Sequence, residues 1–179
     1  PVYDIGCFFS YENPFLGSRR KNLLDCLLDW RPSNSLIADQ VDFGSVARNS
    51  LSLPIQNNLF LTYRSSLCSC KIVFTAYPEN WDGDSRTWEA FASGALVFKD
   101  KSWIDIPNQV KPNIHFEEFD ASDKDSISCA IDKAKWYLSH DSHREKMALA
   151  GYNFVNKYHR PTNRLRYILN WPLSSNYFL

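Results

Sequence analysis

No apolar run in this sequence exceeds a handful of residues, far short of the roughly 20 that a membrane-spanning helix needs. No transmembrane segment is expected. Charge of one sign is missing too. The 20 Lys and Arg balance 20 Asp and Glu, so no overall field would attract nucleic acid, anionic lipid or a polyacidic substrate. Any bound anion must be met by local groups. The five cysteines, Cys7, Cys26, Cys68, Cys70 and Cys129, lack metal-ligand pairing and form an odd set. They are expected to be reduced thiols in a reducing compartment such as the cytoplasm. The four histidines, His115, His140, His143 and His159, show no zinc spacing, and no resident metal is expected. Also absent is a leader with a basic start, an apolar middle and a small-residue cleavage site. A chain that opens on Pro1 rather than methionine is expected to be part of a longer protein.

What is present suits one packed domain over 1–179, with 44% hydrophobic and 15% aromatic residues, enough to bury a core. Val2 to Phe9 is β-prone and ends in a turn-rich stretch, which predicts a first strand. Leu23, Leu24, Leu27 and Leu28 then make the stripe of an amphipathic helix. A second strand is expected from Ser35 to Val41. Leu59, Tyr63, Leu67 and Cys70 recur at helical spacing before a buried strand, Lys71 to Ala76. A short helix from Ser85 to Ser93 closes on Gly94 as its C-cap. Ala95 to Phe98 is the next strand, with Asp100 just past its end, and Asn113 to Phe116 reads as one more.

The last third is helical. Asp123 precedes a segment whose Ile127, Ala130, Ile131, Ala134 and Leu138 share one face. Ser142 to Glu145 matches a capping box before Met147, Gly151, Phe154, Val155 and Tyr158. Pro161 suits the first turn of a final helix through Leu165, Ile168 and Leu169. No repeat or low-complexity tract interrupts this order. Alternating strands and helices predict an α/β, Rossmann-like, doubly wound parallel sheet with a helical C-terminal segment.

In such a sheet ligands gather beyond the C-terminal strand ends, where loops lead into helix N-termini. The loop after Ala76 is therefore the candidate site. It carries Tyr77 and Trp81, which can stack on a base or sugar face or cover the core. It feeds a helix whose free N–H groups favour a phosphate. Ser85 and Arg86 add a hydroxyl and a guanidinium that can hold two phosphate oxygens. Glu89, three residues on, lies near the same helix face and can accept from both hydroxyls of a ribose. The alternative for Arg86 and Glu89 is a simple surface ion pair. Gly94 and its small neighbours allow close approach by a ligand or by packing partners. Asp82 and Asp84 form an Asp-x-Asp triplet able to hold Mg²⁺ or Mn²⁺, although Asp-Gly is also a common turn and Asp84 a natural N-cap.

The segment Arg86-Thr87-Trp88-Glu89-Ala90-Phe91-Ala92-Ser93-Gly94 resembles the Arg-x-x-Glu-Ala-x-Ala-x-Gly stretch of the CgeB and spore-protein-like glycosyltransferases, a branch of the GT-B group. The closing helices from Arg144 to Leu169, with Gly151, His159 and Arg164, resemble that family's terminal helices. The resemblance covers Tyr63 onward well and the first 60 residues loosely. It implies one half of a GT-B fold: a donor-binding domain for a UDP- or GDP-linked nucleotide-diphospho sugar, requiring no cofactor. Glu89 would hold the ribose and Arg86 the phosphates, with Ser85, Trp81, Tyr77 and Gly94 around the donor. His159 and Arg164 gain interest as neighbours at a helix junction. The position where many retaining members carry a further glutamate is Trp81, so the stereochemical outcome and the catalytic residue stay open.

An N-terminal domain that binds the acceptor would complete the enzyme. An exostosin-like glycosyltransferase of the secretory lumen is an alternative, since Asp84-Ser85-Arg86 and Asp100 resemble that family as well. An inert nucleotide-sugar-binding module is another. A response-regulator-like domain lacks its acidic cluster here, because only Asp4 lies within the first strand.

Overall fold

Five strands, β1 (Tyr3–Cys7), β2 (Ser35–Ile37), β3 (Cys70–Thr75), β4 (Leu96–Asp100) and β5 (Glu117–Phe119), line up in the order β2-β1-β3-β4-β5. Every neighbouring pair is parallel. The computed structural model describes residues 1–8, 17–30, 32–37, 53–77 and 84–169, with 53–60 as backbone alone. Six helices complete the described chain: α1 (Ser18–Trp30), α2 (Leu53–Cys68), α3 (Ser85–Ser93), α4 (Lys124–Ser139), α5 (Asp141–Tyr158) and α6 (Pro161–Leu169). This is the α/β, Rossmann-like parallel sheet that the alternation predicts. Because the chain runs from β1 outward to β2 and then returns to the other side of β1, the strand order reverses between β1 and β3. Such a reversal leaves a crevice at the C-terminal strand ends.

Side chains alternate across each strand, and the core divides accordingly. Ile72, Phe74, Leu96 and Phe98 join Leu23, Leu24 and Leu27 of α1 and Ile127 and Ala134 of α4 in one cluster. Val73 and Val97 point the other way, to Tyr63, Leu67, Phe91 and Val155. Both faces are covered, which is why β3 and β4 read as nearly continuous apolar runs. Phe74 and Phe98 stack at 4.7 Å, each ring contributing about 1.5–3 kcal/mol of burial.

Three local expectations change. The strand expected at Asn113 to Phe116 forms instead at Glu117–Phe119. Asn113 has φ 60°, and only a single bridge, Pro112 to Phe116, precedes the pairing with β4. The capping box at Ser142 is not made. The helix starts at Asp141 behind His140 without a side-chain cap, which puts Ser142 inside the first turn, and Glu145 is met by Arg144 instead. Asp100 is the last residue of β4 rather than a residue beyond it. Phe9 and the stretch 38–41, expected in strands, lie outside the described residues.

Candidate functional site

The start of α3 stands at the crevice between β1 and β3, and a chain of polar contacts fixes it there. Asp84 is the N-cap: its Oδ1 accepts from the Arg86 amide at 3.1 Å. Its Oδ2 accepts from Arg20 Nη2 at 2.5 Å. Arg20 also donates through Nε to the carbonyl of Ala76 at 2.8 Å, so the first turn of α1, the end of β3 and the start of α3 are joined. Burial lowers the Arg20 guanidinium below the usual arginine range, with Asp84 working the other way. One turn on, the buried Thr87 hydroxyl lies 3.2 Å from Thr75 Oγ1 and holds α3 against β3.

Glu89 faces α2, and Arg86 stands about one turn before it on α3. Among the described residues they make no ion pair with each other. The Arg86 guanidinium is 3.9 Å from Asp84, with its side chain 36% exposed. Glu89 Oε2 accepts from the Tyr63 hydroxyl at 2.7 Å. Glu89 and Tyr63, with Arg64, Leu67 and Ser93, line a cavity of about 140 Å³ between α2 and α3. Ser85 is exposed at the first position of the helix.

The remaining candidates disperse. Tyr77 is buried, its ring 5.0 Å from Lys99 Nζ and its hydroxyl 3.4 Å from Ser102 Oγ. Gly94 closes the opposite end of α3 at φ 83°, about 13 Å along the axis from Ser85 at 1.5 Å per residue. His159 and Arg164 gather on the other flank of α3. The imidazole stacks on Trp88 at 4.4 Å, and the Arg164 guanidinium lies 4.9 Å from the same ring. His159 Nε2 sits 2.6 Å from the carbonyl of Asn108 and so carries the proton. Nδ1 then accepts from Arg164 at 2.9 Å. Trp81 and Asp82 lie outside the described residues.

Sequence reasoning missed Arg19, Arg20 and Tyr63. Arg19 pairs with Asp100 at 2.6 Å and Asp120 at 2.8 Å. A signal existed: two arginines in the first turn of a helix oppose its dipole, which implies acidic partners elsewhere in the fold. Tyr63 gave none beyond its helical spacing.

A family model described as "Glycosyl transferase-like" matches residues 56–170, from α2 to just past α6. Among solved structures, the C-terminal domain of a glycosyl transferase group 1 family protein from Francisella tularensis is similar in fold. The TM-score is 0.53 at 15% identity, covering 89% of this chain and 87% of that one. No curated protein matches.

Proposed function

The chain belongs to the glycosyl transferase-like family, and from that we propose that it is the donor-binding domain of a glycosyltransferase whose substrate is a UDP- or GDP-linked nucleotide-diphospho sugar. The observation that carries this reading is the separation of Arg86 from Glu89. A surface ion pair would have joined them, yet the guanidinium remains near the helix start and the carboxylate faces a cavity beside α2. A nucleoside diphosphate has its charges and its ribose diol in that same order. The phosphates would meet the positive end of α3 together with Ser85 and Arg86. The ribose would meet Glu89. As the bond from sugar to diphosphate breaks, negative charge grows on the leaving oxygen, and donors already aimed there lower the barrier.

No metal is required in this reading. The Asp84 carboxylate is engaged by Arg20 and by the Arg86 amide, so the Asp82-Asp84 pair is a poor cation site. Tyr77 and Gly94 act behind the donor, as a packed wall and a helix stop. The acceptor hydroxyl and its base belong to a second, N-terminal domain of a longer enzyme. In support, α6 exposes Leu165, Ile168 and Leu169, an apolar stripe suited to packing against another domain. Among the described residues no helix is long and apolar enough to cross a membrane, and the five free thiols favour a reducing compartment such as the cytoplasm.

Calorimetric titration of UDP, GDP and their sugars, with and without Mg²⁺, tests this reading. Binding is expected without metal. Arg86→Ala and Glu89→Ala should each weaken it about 10- to 100-fold, the equivalent of a lost charged hydrogen bond. Failure of every nucleotide to bind would end the proposal, and strict dependence on Mg²⁺ would return Asp82 and Asp84 as ligands. Turnover appearing only in a longer chain supports the two-domain enzyme.

A further inference from the structure

Resting on the ribose reading of Glu89, we propose that Tyr63 is a positioning residue that fixes the Glu89 carboxylate for the ribose diol and so makes the site select ribonucleotides over deoxyribonucleotides. Tyr63 is 26 residues away on α2 and donates its hydroxyl to Glu89 Oε2 at 2.7 Å. The phenol is itself packed into the core. It is 7% exposed, and its ring meets Phe8 edge to face at 5.6 Å and 88°. The anchor therefore reaches back to the residue that follows β1, at the crevice.

Burial, and then the hydrogen bond and charge of Glu89, push the Tyr63 hydroxyl well above the usual phenol range. It stays protonated, and toward a carboxylate it can only donate. One oxygen of Glu89 is thereby committed. Oε1 and the second lone pair of Oε2 are left to accept in the cavity. Nothing on α3 does this instead, because Arg86 leans to Asp84 and not to Glu89. Without the phenol, a glutamate with three rotatable bonds would have to be ordered by the ligand itself. That ordering weakens binding by about three- to tenfold. A ligand lacking one of the diol hydroxyls gains little from an ordered carboxylate, so the effect falls on ribonucleotides.

The test compares UDP with its 2′-deoxy and 3′-deoxy counterparts, titrated into the parent chain, Tyr63→Phe, Glu89→Ala and the double variant. Phenylalanine keeps the ring contact with Phe8, and thermal melting checks that the fold is retained. The parent should prefer UDP. Tyr63→Phe should lose about three- to tenfold in UDP affinity and almost none for the deoxy ligands, so that the preference shrinks. In the Glu89→Ala background, Tyr63→Phe should change nothing. An unchanged preference, or an equal loss for all three ligands, overturns the positioning role while leaving the donor reading intact. A parent that binds no nucleotide overturns both.

Discussion

Arg19 and Asp100 face each other in a two-pronged ion pair, Nε donating to Oδ2 at 2.8 Å and Nη2 to Oδ1 at 2.6 Å. One opens α1 and the other ends β4, so the pair ties the helix that follows β1 to a strand two places away. Asp100 is fully buried, and its Oδ1 also accepts from the Ala121 amide at 2.9 Å. Asp120 receives the same Arg19 nitrogen at 2.8 Å. The ends of β4 and β5 are thus held to α1 by charge as well as by the sheet.

Removing the cation should cost far more than removing the outer carboxylate. Arg19→Met leaves Asp100 buried without its counter-charge, a loss of about 3–5 kcal/mol. Asp120→Asn removes only the charge of a side chain that is 31% exposed, worth about 1 kcal/mol or less. Urea denaturation of both variants measures the contrast. Equal losses would mean that the two carboxylates share the charge evenly.

The parallel sheet was legible because β3 and β4 carry apolar runs at strand length between helical periods. The segments Cys70 to Thr75 and Leu96 to Asp100 differ from expectation by a residue or two at their ends. The position of β5 was not legible. Glu117 is a buried acid in a strand, and among the described residues it is satisfied by Lys133 and Tyr137 of α4, partners that local spacing cannot reveal. The same holds for the candidate site. Asp84 as N-cap could be read from its place before Ser85, but its ion pair with Arg20 spans 64 residues. Local chemistry is written in short spacings, whereas pairings across the sheet depend on topology.

Asp84 separates capping from charge. Asp84→Asn keeps an acceptor for the Arg86 amide but breaks the buried ion pair with Arg20, costing about 3–5 kcal/mol. Asp84→Ala also loses the cap and should cost about 1 kcal/mol more. Chemical denaturation of the two variants gives the order. Asparagine matching the parent would show that the Arg20 contact contributes no stability.

Two glycines should resist alanine for different reasons. A Cβ on Gly151 would lie 2.5 Å from the His115 carbonyl oxygen and 2.9 Å from the Phe91 ring, where α5 crosses close to α3. Overpacking of about 1–3 kcal/mol should exceed the gain of about 1 kcal/mol in helix propensity. At Gly94 there is open space, but φ is 83°, a strain of about 1–2 kcal/mol for alanine. With about 2–4 °C per kcal/mol for a chain of this size, Gly94→Ala should melt a few degrees lower. If Gly151→Ala raises the melting temperature, the backbone there yields easily and the close crossing is not required.

His159 should make stability fall on the acid side. Its Nδ1 accepts from Arg164, and Nε2 already donates to the Asn108 carbonyl, so a second proton would replace the acceptor with a donor facing a cation. Burial lowers its pKa below the usual histidine value, with Arg164 adding to the effect and the Asn108 carbonyl opposing it. The unfolded chain takes up this proton first, near pH 6.5, and protonation therefore favours unfolding. The stabilisation is fully present above about pH 6.5 and is lost as pH falls through the lower folded value. His115, held neutral by burial and by Lys111, contributes with the same sign. Urea denaturation from pH 8 to 5 should therefore show a falling midpoint in the parent and a shallower fall in His159→Gln, the remainder belonging to His115 and the carboxylates. Proton NMR titration of the His159 ring should give a midpoint below about 6.5. A midpoint at or above that value would mean that Arg164 turns away on protonation and that the stacked ring on Trp88 tolerates the charge.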